Sequence, residues 1–564
     1  SCDTFYGYFT GEVRMPLRVV PLGGLGEIGL NSMLFDDGGS ALLVDAGLMF
    51  PDDTMLGVDF VVPDFGILRE IASRLSGLLL THGHEDHIGA VAFLLKDFDV
   101  PVYGTALTLG LLRHRLAEYG LNGSARLIEI GRNAGFRIGN FDVESFPVCH
   151  SIPDGVGYIF RCAEGVFVHT GDFKIDPRPP DGVRTDIDRL ARLSAGEEVT
   201  ALFSDSTNVE REGSSLSEAF VEEALSEIFE GTRGRVIVAM FSSNIHRIQG
   251  VLSAAARNSR RVALCGKSMV RNVATALDLG YMNLPRPDIL LPVEEAESLP
   301  DRNVVVLTTG SQGEPRSALT LMALGEHKHI RIREGDTAVL SSKFIPGNER
   351  AIASVMNHLF LAGAEVLHEK ISEVHVSGHA SREELKAMIA AVKPKHFVPI
   401  HGDPRFLFRH RNLAREMGVP HAIVALNGDI LEFSGGELSL AGKQSVGRFF
   451  VDGKGMGDVE SFVLKDRYKI SQVGLVIVVL ALSSATGEIL YGPDIVTRGV
   501  VTENGSEVSI EEARGIVLST WEAAGVEARK DLSEIQTDIR RALRRYFNKR
   551  LERKPVILPV VLEL

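Results

Sequence analysis

Three histidines and two acids lie within six consecutive positions of this chain, at residues 82–87, which read HGHEDH. An apolar run at 77–80 precedes them, and a second apolar run begins at Ile88. The segment therefore follows a predicted buried strand, where side chains can turn toward one point. Imidazole and carboxylate groups are ligands for zinc and manganese. The alternative, a surface histidine cluster, fits this spacing poorly, so the chain is expected to fold around either one closed structural site or two open catalytic ones.

Three more candidate ligands each follow an apolar run later in the chain, namely His150, Asp172 and His401. Singly, each is better explained as an ordinary loop residue than as a metal ligand. Together with 82–87 they supply enough ligands for two metal ions, with a carboxylate suited to bridging them. Paired ions about 3.5–4 Å apart activate a bridging water and stabilise an in-line displacement. A ligand set without cysteine favours hydrolysis over a structural site.

The composition limits the class of protein more weakly. With 564 residues and 45% hydrophobic content, the chain is long enough for several domains and a large core. The net charge of −14 argues weakly against nucleic acid, although a local basic groove can exist on an acidic protein. The four cysteines show no CxxC spacing, no signal peptide is visible, and the apolar run at 473–482 is too short to span a bilayer. These features predict a cytoplasmic protein that does not enter a membrane.

The order of predicted elements indicates an α/β fold in which one domain interrupts another. Short strands that end in polar loops are predicted up to about residue 213, and helices alternate with strands from 216 to 367. From 371 to 433 the pattern of short strands and polar loops returns. A glycine-rich stretch at 451–457 suggests a boundary before a small tail unit. The predicted parts are an extension or disordered segment at 1–16, an outer domain at 17–215 and 371–450, an insert at 216–370, a linker at 451–465 and a C-terminal domain at 466–564.

Two glycine motifs are misleading. Residues 24–29 match GxGxxG, but a hairpin pattern rather than a helix follows them, which favours a turn over a dinucleotide site. Residues 266–268 resemble the end of a phosphate-binding loop, but the glycine required five residues earlier is Arg261.

Further motifs accompany the HGHEDH segment and His150. Asp45 lies in LVDAG and Asp172 ends HTGD, while Asp205 lies in SDSTN, His379 in SGHAS and His401 in PIHG. Longer stretches are LGGLGEIGLN at 22–31, VDAGLMFPDD at 44–53, FSSNIHRIQ at 241–249, TGSQGEP at 309–315, IPGNE at 345–349 and ILPVVLEL at 557–564.

HGHEDH, His150, HTGD and LVDAG resemble the motifs of the metallo-β-lactamase superfamily, and SDSTN, SGHAS and PIHG resemble those of its β-CASP group. With the longer stretches, the sequence resembles the bacterial ribonuclease J family within that group. The resemblance runs from about residue 17 to 564.

The resemblance implies a metallo-β-lactamase αββα sandwich split by a β-CASP αβ domain, plus a small αβ C-terminal domain. It implies two divalent metal ions per subunit, Zn²⁺ or Mn²⁺, with Asp45 supporting the ligands. One ion would be held by His82, His84, His150 and Asp172, and the other by Asp86, His87, Asp172 and His401. The catalytic residues would be His379, Asp205 and Asp172, with Asp205 orienting a metal-ligating histidine.

The activity implied is that of a 5′→3′ exonuclease on single-stranded RNA with a 5′-monophosphate, with additional endonuclease activity, in RNA maturation and decay. The reaction would be attack of a two-metal-bridged hydroxide on the phosphodiester. The family further implies a homodimer or dimer of dimers and RNA-degradation partners.

A substrate phosphate is expected near residues 377–381. The pattern Ser381-x-x-Glu384 predicts a helix that begins with a capping box, and its first turn would offer free backbone N–H groups to an anion. The expected substrate-binding residues are Ser242, Ser243, Asn244, His375, Val376, Ser377, Gly378, His379, Ala380 and Ser381.

Three other functions were weighed. A small-molecule metallo-hydrolase explains HGHEDH but not the insert or SGHAS. A β-CASP nuclease acting on DNA explains both, but not the tail unit or TGSQGEP. A catalytically silent RNA-binding protein would lack ligands, whereas this sequence has the full set.

Overall fold

The computed structural model describes residues 15–52, 54–121, 123–345, 347–453, 455–459, 461–500, 509–525 and 531–564. These residues divide into two compact units. The first takes the described residues up to Phe50 together with Phe60–Phe449, and the second takes Pro51–Asp59 together with Phe450–Leu564. The predicted extension at 1–16 lies almost wholly outside the described residues, as does Cys2.

The outer domain begins with twelve strands, four α-helices and a 3₁₀ helix at Phe65–Ile71. The strands are β1 Leu17–Gly23, β2 Ser32–Asp36, β3 Ala41–Val44, β4 Phe60–Pro63, β5 Leu75–Leu79, β6 Val102–Gly104, β7 Leu127–Glu129, β8 Gly135–Ile138, β9 Phe141–Pro147, β10 Val156–Cys162, β11 Gly165–His169 and β12 Val199–Asp205. The helices are α1 Glu85–Ile88, α2 Val91–Asp97, α3 Ala106–Glu118 and α4 Ile187–Gly196.

The insert alternates helices and strands, as the sequence predicts. Its elements are α5 Glu218–Gly231, β13 Val236–Ala239, α6 Ile245–Arg257, β14 Arg261–Cys265, α7 Lys267–Asp278, β15 Leu290–Leu291, β16 Val304–Thr308, α8 Ala318–Ala323, β17 Thr337–Leu340, α9 Glu349–Leu361 and β18 Glu365–His368, with 3₁₀ helices at Val293–Ser298 and Asp301–Asn303. The strands form one parallel sheet in the order β15-β14-β16-β13-β17-β18. Buried aliphatic residues on both faces are typical of a parallel sheet covered by helices.

The chain then returns to the outer domain. The remaining elements there are α10 Arg382–Val392, β19 His396–Ile400, α11 Pro404–Glu416, β20 His421–Ala422, β21 Asp429–Ser434 and β22 Glu437–Lys443. One sheet has the order β22-β21-β1-β2-β3-β5-β6-β7 and the other β20-β19-β12-β11-β10-β9-β8. A shared core joins the sheets, in which the ring of Phe35 lies 5.1 Å from Phe160 and 5.4 Å from Phe203 between centroids. The expected αββα sandwich, split by an αβ insert, is confirmed.

The GxGxxG segment is a turn between antiparallel strands. β1 pairs with β2, and Gly24, Gly26 and Gly29 all have φ between 86° and 94°. Such angles favour glycine because it has no Cβ. The hairpin predicted for this segment is confirmed, since no helix follows it.

The second unit consists mainly of a three-stranded sheet covered by helices. Its elements are β23 Arg448–Asp452, β24 Gly455–Val459, α12 Ser461–Val473, β25 Leu475–Leu482, β26 Ile489–Arg498, α13 Ile510–Ala523, α14 Leu532–Leu551 and β27 Val556–Glu563. The segment at 451–465, predicted to be a linker, contains β24 and the start of α12. In α14 the spacing of the apolar residues is typical of a helix with one buried face, and the buried residues are Ile535, Ile539, Leu543 and Phe547. Tyr546 is half-buried and its hydroxyl donates to Glu512.

None of the described helices combines the length and the apolar character that crossing a membrane requires.

Candidate metal centre

Neighbouring strands deliver the candidate ligands to one edge of the outer domain. Strand β12 is parallel to both β11 and β19, so the three carboxyl ends lie side by side. Asp172 follows β11, Asp205 ends β12 and His401 follows β19 directly. In the opposite sheet β5 runs parallel to β3 and leads to His82. The HGHEDH segment is not wholly a loop, because residues 85–88 form the single-turn helix α1.

The first ligand group consists of three imidazoles. The Nδ1 atom of His84 lies 3.0 Å from His82 Nε2 and 3.2 Å from His150 Nε2. Burial holds the pKa of all three well below the ordinary value, to about 3 for His84. Three neutral imidazoles thus each place a nitrogen at one point, which is a donor set suited to a divalent ion.

The second ligand group contains two carboxylates and two imidazoles. The Nε2 atoms of His87 and His401 each lie 3.6 Å from Asp86 Oδ2, and His87 Nε2 lies 3.2 Å from Asp172 Oδ2. Asp172 Oδ2 is also 3.8 Å from His82 Nε2 and from His150 Nε2, so this carboxylate lies between the two groups.

Two observations show that a cation fits the second group. His401 is buried, and its Nε2 has no hydrogen-bond partner among the described residues. Burial opposes protonation of both imidazoles, but the adjacent carboxylates outweigh it. They raise the pKa of His401 to about 9 and that of His87 well above its ordinary value. A site that attracts protons this strongly, with an unpaired buried nitrogen, is suited to a metal ion.

Contacts behind the ligands fix the orientation of their rings. His87 donates from Nδ1 to Asp45 Oδ2 at 2.7 Å, and His150 donates from Nδ1 to the carbonyl oxygen of Gly378 at 2.7 Å. Each bond turns the ring so that Nε2 faces the centre. Asp45 and His401 both adopt left-handed backbone conformations, with φ of 60° and 53°. Such strained conformations in non-glycine residues persist where the surrounding structure holds them.

We expect Asp45→Asn to weaken metal affinity by roughly 10–100-fold, because an amide cannot stabilise the ring of the candidate ligand His87 as a carboxylate does. Isothermal titration with Zn²⁺ or Mn²⁺ measures the effect. Unchanged affinity in this variant would show that the 2.7 Å contact does not support the ligand.

His379 and Asp205 form an ion pair beside the two ligand groups. His379 Nδ1 lies 2.8 Å from Asp205 Oδ2 and 3.8 Å from Asp172 Oδ2. Burial opposes charge on both partners, but their attraction raises the pKa of His379 and lowers the pKa of Asp205. The resemblance implies that Asp205 orients a metal-ligating histidine, but the ring that Asp205 contacts is that of His379, which is not among the predicted ligands. The Nδ1 atom of the predicted ligand His401 lies 4.0 Å from Asp205 Oδ1.

The expected anion site at the start of α10 is wrong in one respect. The capping box of Ser381 and Glu384 is present. The N–H groups of Arg382 and Glu383 are not free, because they donate to the carbonyl oxygens of Arg211 and Gly213. The first turn of this helix is therefore not available to a phosphate.

Free backbone N–H groups lie in the loop that precedes helix α10. Among the described residues, no acceptor takes the backbone N–H groups of Ser377, Gly378 or Ala380. All three residues are buried, and an unpaired buried N–H group is costly. This segment, residues 374–380, is called the phosphate loop below.

The other predicted substrate residues have structural partners. Asn244 accepts from Arg247 N at the start of α6, and Ser242 accepts from the Asn272 side chain. No hydrogen bond within the described residues joins 242–244 to the phosphate loop. His375 and Val376, by contrast, belong to that loop and both accept from Arg247.

Sequence reasoning missed several residues around the site. Asn31 donates to the carbonyl oxygen of Asp86 and lies 3.1 Å from His87 Nε2. Ser215 and Asn208 both donate to the carbonyl oxygen of His379. Asn31 ends LGGLGEIGLN and Asn208 ends SDSTN, so the motifs contained the signal although their partners could not be identified from the sequence.

Family models match four parts of the chain. Residues 25–207 match a model described as the metallo-beta-lactamase superfamily, and residues 233–359 match the ribonuclease J beta-CASP domain. Residues 363–424 match a Zn-dependent metallo-hydrolase RNA specificity domain, and residues 462–564 match the ribonuclease J C-terminal domain.

Curated relatives align over nearly the whole chain. Ribonuclease J2 of Bacillus subtilis (strain 168) is 40% identical over 550 residues, covering 97% of this chain and 99% of the relative. Ribonuclease J of Thermus thermophilus is 40% identical over 556 residues, covering 97% and 95% respectively. A solved structure of a protein of unknown function from Enterococcus faecalis V583 has a TM-score of 0.51 at 16% identity, covering 74% of this chain and 100% of that chain, and shares the fold alone.

Proposed function

Since this chain belongs to the ribonuclease J family of metal-dependent ribonucleases, we propose that it degrades single-stranded RNA from a 5′-monophosphate end and also cleaves RNA internally. The supporting observation is that the unpaired N–H groups of the phosphate loop lie next in sequence to His379, which in turn faces Asp172. A terminal phosphate and a scissile phosphate can thus be held within one short segment.

The proposed metal ligands are the two groups described above, with Asp172 shared between them. A pair of divalent ions, Zn²⁺ or Mn²⁺, would supply an activated water and neutralise charge on the phosphoryl oxygens. Asp45 and the carbonyl of Gly378 orient His87 and His150 for this task.

His379 acts on the phosphoryl group. The carboxylate of Asp205 raises the pKa of His379, which favours the protonated, positively charged ring. Its Nδ1 is engaged by Asp205, which leaves Nε2–H to donate to a phosphoryl oxygen. A donor aimed at developing negative charge in a site with little water contributes strongly to rate.

The phosphate loop would bind the 5′-terminal phosphate. The N–H groups of Ser377, Gly378 and Ala380 can donate to its oxygens without breaking any bond of the folded protein. A 5′-triphosphate would have to fit two further phosphoryl groups against buried backbone, and a 5′-hydroxyl would leave the donors unpaired.

End-labelled single-stranded RNA with a 5′-monophosphate, 5′-triphosphate or 5′-hydroxyl tests the proposal, with Mn²⁺, Mg²⁺ or Zn²⁺ in parallel and single-stranded DNA as a further substrate. We expect stepwise release of mononucleotides, fastest from the monophosphate. Equal rates on all three ends would contradict the end preference, and cleavage of DNA in preference to RNA would contradict the substrate class.

His379→Ala is expected to bind metal normally yet lose activity by roughly 10²–10³-fold, the cost typical for removal of one oxyanion donor. Metal content by mass spectrometry and single-turnover rates on 5′-monophosphate RNA measure the two effects. Loss of metal from this variant would instead make His379 a ligand.

A further inference from the structure

Arg247 connects the insert to the phosphate loop. It lies in helix α6 of the insert and is 2% exposed. All five N–H donors of its guanidinium group are used. Nε and Nη2 donate to the two carboxylate oxygens of Glu218 at 3.2 and 2.8 Å, and Glu218 begins α5 of the same insert.

The other three donors reach carbonyl and imidazole acceptors. Nη1 donates to the carbonyl oxygen of Ser341 at 2.8 Å and to Nδ1 of His375 at 2.7 Å, and Nη2 donates to the carbonyl oxygen of Val376 at 3.0 Å. Ser341 itself donates from Oγ to the carbonyl oxygen of Val374 at 2.6 Å. Three consecutive residues of the loop are thus held by side chains of the insert.

The same loop is held from the outer domain a few residues later. The carbonyl of Gly378 accepts from the candidate metal ligand His150, and the ring of His379 is held by Asp205. Residues 374–380 contain no helix or strand that would hold their backbone by its own hydrogen bonds. Side chains on both flanks therefore determine where the unpaired N–H groups of Ser377 and Gly378 point.

We propose that Arg247 is a positioning residue: its guanidinium group orders residues 375–378 so that their free N–H groups recognise the 5′-terminal phosphate of RNA. This role rests on the proposed function, because it presumes that the loop binds that phosphate. It gives the insert a part in selecting the RNA end although Arg247 does not touch the substrate.

Lysine cannot replace Arg247 in this role. An ammonium group has at most three donors and no planar fork, so it cannot span Glu218, Ser341 and both loop acceptors together. The loop would then shift, and a misplacement of about 1 Å in a binding group costs roughly 10²-fold in rate.

Arg235 provides a matched control within the same sheet. It is fully buried and bonds to Asp336 in the same bidentate manner, at 2.9 and 2.6 Å. Arg235 and Asp336 directly precede the parallel strands β13 and β17, whereas Ser341 follows β17. Arg235→Lys therefore disturbs a comparable buried ion pair at the amino-terminal ends of these strands, whereas Ser341 lies at the carboxyl end of β17.

The test measures kcat and KM of wild type, Arg247→Lys and Arg235→Lys on RNA with a 5′-monophosphate and on the same RNA with a 5′-hydroxyl. We expect the ratio of the two kcat/KM values to fall by roughly 10–100-fold in Arg247→Lys, mainly through KM for the monophosphate. The ratio should be unchanged in Arg235→Lys, and metal content should be unchanged in both.

Each other outcome contradicts either the proposed preference for a 5′-monophosphate end or the proposed role of Arg247. A wild-type ratio near one would overturn the proposed end preference and this inference with it. A wild-type preference that Arg247→Lys retains, an equal loss of preference in Arg235→Lys, or loss of metal from Arg247→Lys would overturn this inference alone. If Arg247→Lys does not fold, Glu218→Asp serves as the second variant: it keeps the ion pair but draws the guanidinium group away from the loop, so the ratio should fall in the same direction by a smaller factor.

Discussion

Asp172→Asn is expected to abolish RNA cleavage, lowering kcat/KM by roughly 10³-fold or more. Removal of a residue that only orients a ligand costs about 10–100-fold, and Asp172 does more than orient one. Its carboxylate lies within 3.8 Å of nitrogens from both candidate ligand groups. An amide of the same shape offers one neutral oxygen and cannot bridge two cations.

Metal content, melting temperature and single-turnover cleavage of 5′-monophosphate RNA are the measurements for Asp172→Asn. Asp45→Asn is the matched control, since it makes the same change to a buried carboxylate that contacts only one ligand ring. Asp172→Asn should lose both metal and activity, and Asp45→Asn should lose part of each. Activity within tenfold of wild type in Asp172→Asn would contradict a shared ligand.

Gly378→Ala is expected to reduce activity by roughly 10²-fold or more, because a misplaced group at a catalytic site has that effect. A Cβ atom at position 378 would lie 2.7 Å from Cε1 and 2.9 Å from Nδ1 of His150, and 3.0 Å from Cβ of Ser151. His150 cannot move away without giving up either its bond to the Gly378 carbonyl or its place beside His84. One methyl group thus disturbs a candidate metal ligand and the phosphate loop together.

Gly135→Ala controls for the general cost of adding a methyl group. Gly135 begins β8 in the same domain, and a Cβ atom there would meet no atom within 4 Å. Activity, metal affinity and melting temperature should match wild type in Gly135→Ala. Normal metal affinity in Gly378→Ala, combined with normal activity, would show that the loop can move away from His150.

The sequence predicted the fold well, and the structure brings its candidate ligands together, because the signals are local. Each ligand after HGHEDH follows a short apolar run, and the carboxyl ends of neighbouring parallel strands meet at one edge of a sheet. The β-α alternation of the insert likewise predicted its parallel sheet. Such patterns depend on residues that are close in sequence, so they can be recognised in a single amino-acid sequence.

Features that depend on distant partners could not be predicted in this way. The capping box at Ser381 was evident, but the carbonyls of Arg211 and Gly213 that occupy the next N–H groups come from a different segment. For the same reason the sequence did not reveal that Arg247 holds His375. Unpaired donors are recognisable only after every acceptor has been located.

The parallel pairing of β12 with β19 joins two strands that the entire insert separates in the chain. During translation, His82, His84 and His150 are added to the growing chain long before the ribosome reaches the codon for His401. All three side chains of the first group are therefore present on a growing chain before the carbonyl of Gly378 that orients His150. The second candidate group cannot form until translation has passed the codon for His401.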